Sequence, residues 1–141
     1  MPKFKWTEDH SLFLPEIDSE HQVIFRLCHD LHRAVTGRAP DDLIDSLLNE
    51  LAIRSLEHFW HEERRMRSTA YPFYAWHKQQ HHTARSKIKF FGAHFRAGDR
   101  EAVRGLLTFL HGWLNDHIRL ADRMLGAHLR NSQRELCAKA S

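Results

Sequence analysis

Residues that interrupt helices are scarce in this sequence: 6 glycines and 4 prolines in 141 positions. No run of alternating apolar and polar residues signals a strand, and there is no low-complexity tract or internal repeat. Cysteine is nearly absent. Cys28 and Cys137 have no framework spacing, which excludes a disulfide scaffold. No apolar run approaches the ~20 residues a membrane span needs, and "MPKFKWTEDH" at the start lacks the apolar core of a secretion signal. A cytoplasmic protein is therefore expected. Charge of one sign is also missing. The 21 Lys and Arg are scattered against 18 Asp and Glu, with "RRMR" at 64–67 the tightest cluster, so no basic stripe for a nucleic acid is present.

Histidine, by contrast, is abundant, with 13 of 141 residues. The few breakers fall at "GRAPDD" (37–42), "YP" (71–72) and "AGD" (97–99). Between them lie four helix-length stretches, 18–36, 41–69, 73–96 and 100–129, with an N-terminal arm 1–17 and a tail 130–141. Short connections between long amphipathic helices make neighbours antiparallel. The expected fold is all-α, a single domain over 1–141 forming an up-down-up-down four-helix bundle. Trp6, Leu12, Phe13 and Leu14 of the arm are expected to pack against it.

Steps of three and four residues trace the inward stripe of each helix. The first stripe runs Ile17, His21, Ile24, Cys28, Leu31, Val35. The second is Ile44, Leu48, Leu51, Ser55, His58, Glu62, Met66. The third is Phe73, His77, His81, Ala84, Ile88, Phe91, Phe95. The fourth is Val103, Leu106 or Leu107, Leu110, Leu114, His117, Ala121, Met124. In an up-down-up-down bundle the starts of helices one and three share an end with the finishes of two and four. His21, His58, Glu62, His77, His81 and His117 thus converge on one end of the interior. Unpartnered polar groups in a core cost several kcal/mol each, roughly, and a carboxylate more. A shared metal removes that cost.

Asp122 is a further candidate, five residues beyond His117. On a regular helix that is about 140° away from His117, at the edge of the stripe. It reaches inward by its rotamer or if the helix widens locally into a π-bulge, a distortion frequent at functional sites. The other eight histidines (10, 29, 32, 61, 82, 94, 111 and 128) read as surface or capping residues.

Four stretches together resemble the hemerythrins, especially the bacterial single-domain type: "IDSEH" ending at His21, "HFWHEERRM" from His58, "HKQQH" from His77 and "WLNDHIRLAD" from Trp113 to Asp122. They cover about 100 residues, in the order of that family. The resemblance implies two non-haem iron ions. One would be held by His77, His81 and His117 and the other by His21 and His58. Glu62 and Asp122 would bridge both, with an oxo or hydroxo group as third bridge. That count leaves the iron of His21 and His58 one donor short, a place for O2. Ile24, Phe59, Trp113, Leu114 and Ile118 stand where the family lines its oxygen pocket. The implied activity is reversible O2 binding, for storage, delivery to an oxygen-using enzyme, or sensing through a partner, and no residue is assigned a catalytic role. An oligomer is compatible with the sequence, with Trp60 and Trp76 as packing or contact residues.

Some positions depart from the family pattern. Glu20 precedes the first histidine where glutamine is common, Trp60 and His61 fill variable positions, and Cys28 places a thiol deeper in the bundle. Two other readings share the fold: a di-iron oxidase, peroxidase or nitric-oxide-handling enzyme, and an iron or oxygen sensor. The enzyme would need an acid or base beside the open iron. Glu63 and His61 are nearest in sequence, but each lies about 100° around the helix from Glu62, which favours water-facing roles. A ferritin-like site is excluded because no glutamate precedes a histidine by three residues. "HEERR" likewise lacks the second histidine of a zincin.

Overall fold

The computed structural model describes residues 3–140. It is an all-α bundle with no strand among those residues. Helix α1 spans Pro15–Thr36, α2 Asp41–Ser68, α3 Tyr74–Arg96 and α4 Ala102–His117. A π-helical segment, Ile118–Asp122, then leads without a break into α5, Arg123–Ala140. The helices are arranged in a square: α1 packs on α2 and α4, and α3 on α2 and α4. None is long and apolar enough to cross a membrane.

Helix ends follow from local chemistry. Pro15 opens α1 at a position where its missing N–H costs nothing, and Glu16 and Asp18 favour the positive end of the helix dipole. Asp41 and Asp42 do the same for α2, whose last turn carries Arg65 and Arg67. Gly98, at φ 108°, turns the chain out of α3. The other two exits use residues less suited to a left-handed backbone, Arg38 (φ 54°) and Ala70 (φ 51°). Each is locked by a bond from the next residue back into the helix, Ala39 N–H to Ala34 O at 2.8 Å and Tyr71 N–H to Met66 O at 2.9 Å.

The N-terminal arm is part of the fold rather than an appendage. Phe4, Leu12 and Leu14 are buried and Trp6 packs on the main core. His10 is buried as well. It closes the short 3-10 turn Glu8–His10 by accepting from Thr7 N–H at 3.0 Å, and its Nε2 meets Asn115 Oδ1 of α4 at 3.0 Å. Asp18 ties the arm to α1 by accepting from Leu12 N–H and the Ser11 hydroxyl. Phe13 departs from expectation. It is 76 % exposed, because its left-handed backbone (φ 57°) turns the side chain outward.

Phe73, placed on the third stripe by spacing, caps α3 and is half exposed. The fourth stripe changes phase at the π segment. One extra residue in the turn brings Asp122, Leu125 and Leu129 to the interior and leaves Met124 only partly covered. Residues 130–140, expected as a tail, continue as helix. They contain no glycine or proline to stop it and are mostly exposed.

Two apolar clusters fill the interior. The larger, including Ile24, Leu31, Leu51, Leu106 and Leu110, occupies most of the bundle. A smaller one, including Leu12, Ile17, Met66, Tyr71 and Leu125, caps the end where α1 begins and α2 finishes. Between them lies a polar layer.

Candidate metal centre

The structure brings all seven candidate residues into this layer. His21 comes from α1, His58 and Glu62 from α2, His77 and His81 from α3, His117 from the last turn of α4, and Asp122 from the π segment. None is more than 4 % exposed. Their donor atoms form two groups: Glu62, His77, His81, His117 and Asp122 in one, His21, His58, Glu62 and Asp122 in the other. Within each group the atoms lie within 4.8 Å of one another.

Both carboxylates belong to both groups, and each divides its oxygens between them. Glu62 Oε1 lies 3.3 Å from His77 Nε2 and 3.0 Å from His81 Nε2. Its Oε2 lies 3.2 Å from His58 Nε2 and 3.7 Å from His21 Nε2. Asp122 Oδ1 faces His77 and His117 at 3.1 and 3.0 Å, and Oδ2 faces His21 at 3.1 Å. Many of these approaches are close without being hydrogen bonds. Glu62 Oε2, His81 Nε2, His117 Nε2 and both Asp122 oxygens are buried with no hydrogen-bond partner among the described residues. Buried polar atoms are rarely left so. Here their lone pairs converge on shared points instead of on one another, which is what a cation requires of its ligands.

Electrostatics in the metal-free chain agree. Burial alone would raise the Glu62 and Asp122 carboxyls. For Asp122 the Glu62 charge raises it further, but the facing histidines hold both groups well below the usual carboxylate range. Burial would likewise lower the His58 imidazolium, yet the Glu62 charge and the bond to Glu20 push it up to about 10. His77, opposed by burial but bonded to Asp122 and Glu62, stands at about 9. His21 is raised by the same two carboxylates, whereas burial wins at His117 and lowers it. Two ionised carboxylates deep in a bundle thus draw positive charge into the layer.

The rear nitrogens of three histidines have partners that spacing did not reveal. His58 Nδ1 meets Glu20 Oε1 at 3.0 Å, His81 Nδ1 meets Glu63 Oε2 at 2.8 Å, and His117 Nδ1 meets Gln80 Oε1 at 2.7 Å. Such contacts fix ring orientation and raise donor strength. Glu63 does not face water as expected from its angle to Glu62. It is 5 % exposed, held by His81 and by Arg85 Nη2 at 2.5 Å. A signal did exist: Arg85 follows His81 by four residues, so α3 presents two donors on one face toward α2. His61 is exposed, with Nδ1 2.5 Å from Glu20 Oε2.

Ile24, Phe59, Leu114 and Ile118 are buried beside the layer, and Trp113 is partly so. Phe59 stacks on His81 with ring centroids 4.3 Å apart, and Trp113 stacks on His117 at the same distance. Trp60 and Trp76 are exposed. Cys28 is buried deep in the larger apolar cluster, where burial pushes its thiol pKa up.

The family model described as the Hemerythrin HHE cation binding domain matches residues 12–129. A Stenotrophomonas maltophilia protein named bacteriohemerythrin is 31 % identical over 136 residues, covering 92 % of this chain and 86 % of its own length. A Pseudomonas aeruginosa protein of the same name is 30 % identical over 138 residues, 96 % and 88 % of the two chains. An Aquifex aeolicus bacteriohemerythrin is 28 % identical over 104 residues, 72 % and 79 %. With the family model spanning the end of the arm, all four bundle helices and the polar layer between them, the chain belongs to the hemerythrin family.

Proposed function

We propose that the layer holds two non-haem iron ions and that the protein binds O2 reversibly. The observation that carries this reading is the division of each buried carboxylate, one oxygen toward each histidine group. His77, His81 and His117 would hold one iron, His21 and His58 the other, with Glu62 and Asp122 shared between them and an oxo or hydroxo group as a further bridge. Imidazole and carboxylate suit iron in both its common oxidation states. A carboxylate-bridged pair of ferrous ions supplies the two electrons that reversible O2 uptake draws on.

The protein's own contribution is asymmetry and exclusion. One group presents three histidines and the other two, so the second leaves room for an external ligand. Ile24, Phe59, Leu114, Ile118 and the Trp113 ring admit a small apolar gas and bring no acid or base to it. Glu63, which could serve as an acid, is bonded to His81 and Arg85 instead. These features favour a binding protein over an oxidase or peroxidase, working in the cytoplasm in oxygen storage, delivery or sensing.

The test is the visible spectrum of anaerobically iron-loaded protein before O2, under O2, and after O2 is removed. A charge-transfer band that appears with O2 and vanishes on its removal, with the ferrous state recovered, establishes reversible binding. Rapid passage to a stable oxidised state would overturn reversible binding, in favour of an enzyme or of a sensor that is oxidised by O2 without releasing it.

A further inference from the structure

Two histidines of the layer, His58 and His81, are backed by a carboxylate, and the two carboxylates are held differently. Glu63 is matched by a permanent cation, since Arg85 donates to the same oxygen that meets His81. Among the described residues Glu20 has no guanidinium or ammonium partner. Its Oε1 faces His58 Nδ1 at 3.0 Å, its Oε2 faces His61 Nδ1 at 2.5 Å, and its side chain is 30 % exposed. It borders a cavity of about 430 Å³ that also touches His61, Arg65 and, at its inner end, the buried Glu62. Arg65 is engaged instead by Glu16 at 3.7 Å, and Arg64 lies over the Trp60 ring.

The two halves of the layer therefore differ in support as well as in ligand number. On the three-histidine side, His81 and His117 have rear partners, and His77 Nδ1 is buried with none among the described residues. On the other side His21 Nδ1 is buried with no partner, and Glu20 alone among the described residues braces a ring. A carboxylate that accepts an imidazole N–H makes the opposite nitrogen a stronger donor. Its charge, left without a fixed cation, also stabilises whatever positive charge sits on the far side of the ring.

Resting on the di-iron reading, we propose that Glu20 is a positioning residue: it orients His58, tightens the His21–His58 half for its cation, and lowers that half's reduction potential. The same contact explains how the half with fewer ligands keeps its ion.

Two variants separate orientation from charge. Glu20→Gln keeps an acceptor for the His58 N–H and removes the charge, and Glu20→Ala removes both. Metal-free protein is titrated with cobalt(II), followed by its visible absorption. One of two ions should weaken by about 10-fold or more in Glu20→Ala, and by less in Glu20→Gln, with the other ion unchanged. In iron-loaded protein the midpoint potential of Glu20→Gln should move positive. Glu16→Gln removes an equal charge from the same cavity without touching a histidine, and should leave both readouts alone. Unchanged cobalt affinity and potential in the Glu20 variants, or an equal shift in Glu16→Gln, overturns the assignment. Wild-type protein that takes up fewer than two ions overturns the di-metal reading and this inference with it. Two ions with an indifferent Glu20 overturn this inference alone.

Discussion

The large apolar cluster and the polar layer are built on the same four helices, yet they are stabilised by opposite means. Leu31, Leu51 and Leu106 are wholly buried and need only neighbours of the right volume. His21, His77, His81 and Glu62 are just as deeply buried, but each needs a partner at a defined atom. The first region tolerates imprecise direction and punishes lost volume. The second tolerates little error in direction, because its polar atoms must meet at common points. One bundle can therefore carry a site without depending on it for its whole stability.

The largest break in that comparison should come from Glu62, which serves both halves. Glu62→Ala should drop iron content well below two per chain by elemental analysis, and full retention would refute the ligand assignment. His117→Ala should also lower iron content, by disabling one half. Leu51→Ala tests the other region. It should cost roughly 2–5 kcal/mol in denaturant unfolding while iron per chain stays at the wild-type value. Loss of metal in that variant would show that the two regions are not separable.

A smaller effect follows from the raised histidines. The folded-state values of His58 and His77, about 10 and about 9, lie above the unfolded value near 6.5. In metal-free protein their contribution to stability is thus complete below about pH 6.5 and lost as pH rises through about 9 to 10. Melting temperature should fall across that window in metal-free protein and much less after metal loading, where the ion replaces the protons. A metal-free protein indifferent to that rise would mean the layer folds with neutral histidines. The smallest effect belongs to the turn after α2. Ala70→Gly relieves a left-handed backbone and should raise stability by less than about 1 kcal/mol, since glycine's added freedom in the unfolded chain offsets part of the gain. A loss of stability would show that the Ala70 methyl is packed.

The four helices could be read from the sequence because amphipathic spacing repeats along each and glycine or proline stands at every break. The inward direction of His58 and Glu62 could be read in the same way, since both share a face with Leu48, Leu51 and Met66. Glu63 was hidden from that logic. Angular position says how far a residue lies from the stripe, but not whether a neighbouring helix offers a donor there, and Arg85 and His81 do. Phe13 was hidden too, because a backbone angle rather than hydrophobicity sets its exposure.

The sequence by itself determined the helical class, the antiparallel order and the presence of six polar side chains on inward faces at one end, since each follows from local periodicity and connection length. Tertiary structure decided the rest. The five-residue spacing from His117 to Asp122 left a turned-in rotamer and a π-bulge both open, and the π segment of "IRLAD" is the one adopted because α4 and α5 must present Asp122, Leu125 and Leu129 to the same core. Glu20, Glu63 and Gln80 gained their roles from the packing of neighbouring helices, which places each behind a histidine of the next helix. Those contacts are a property of packed helices together, and no single helix encodes them.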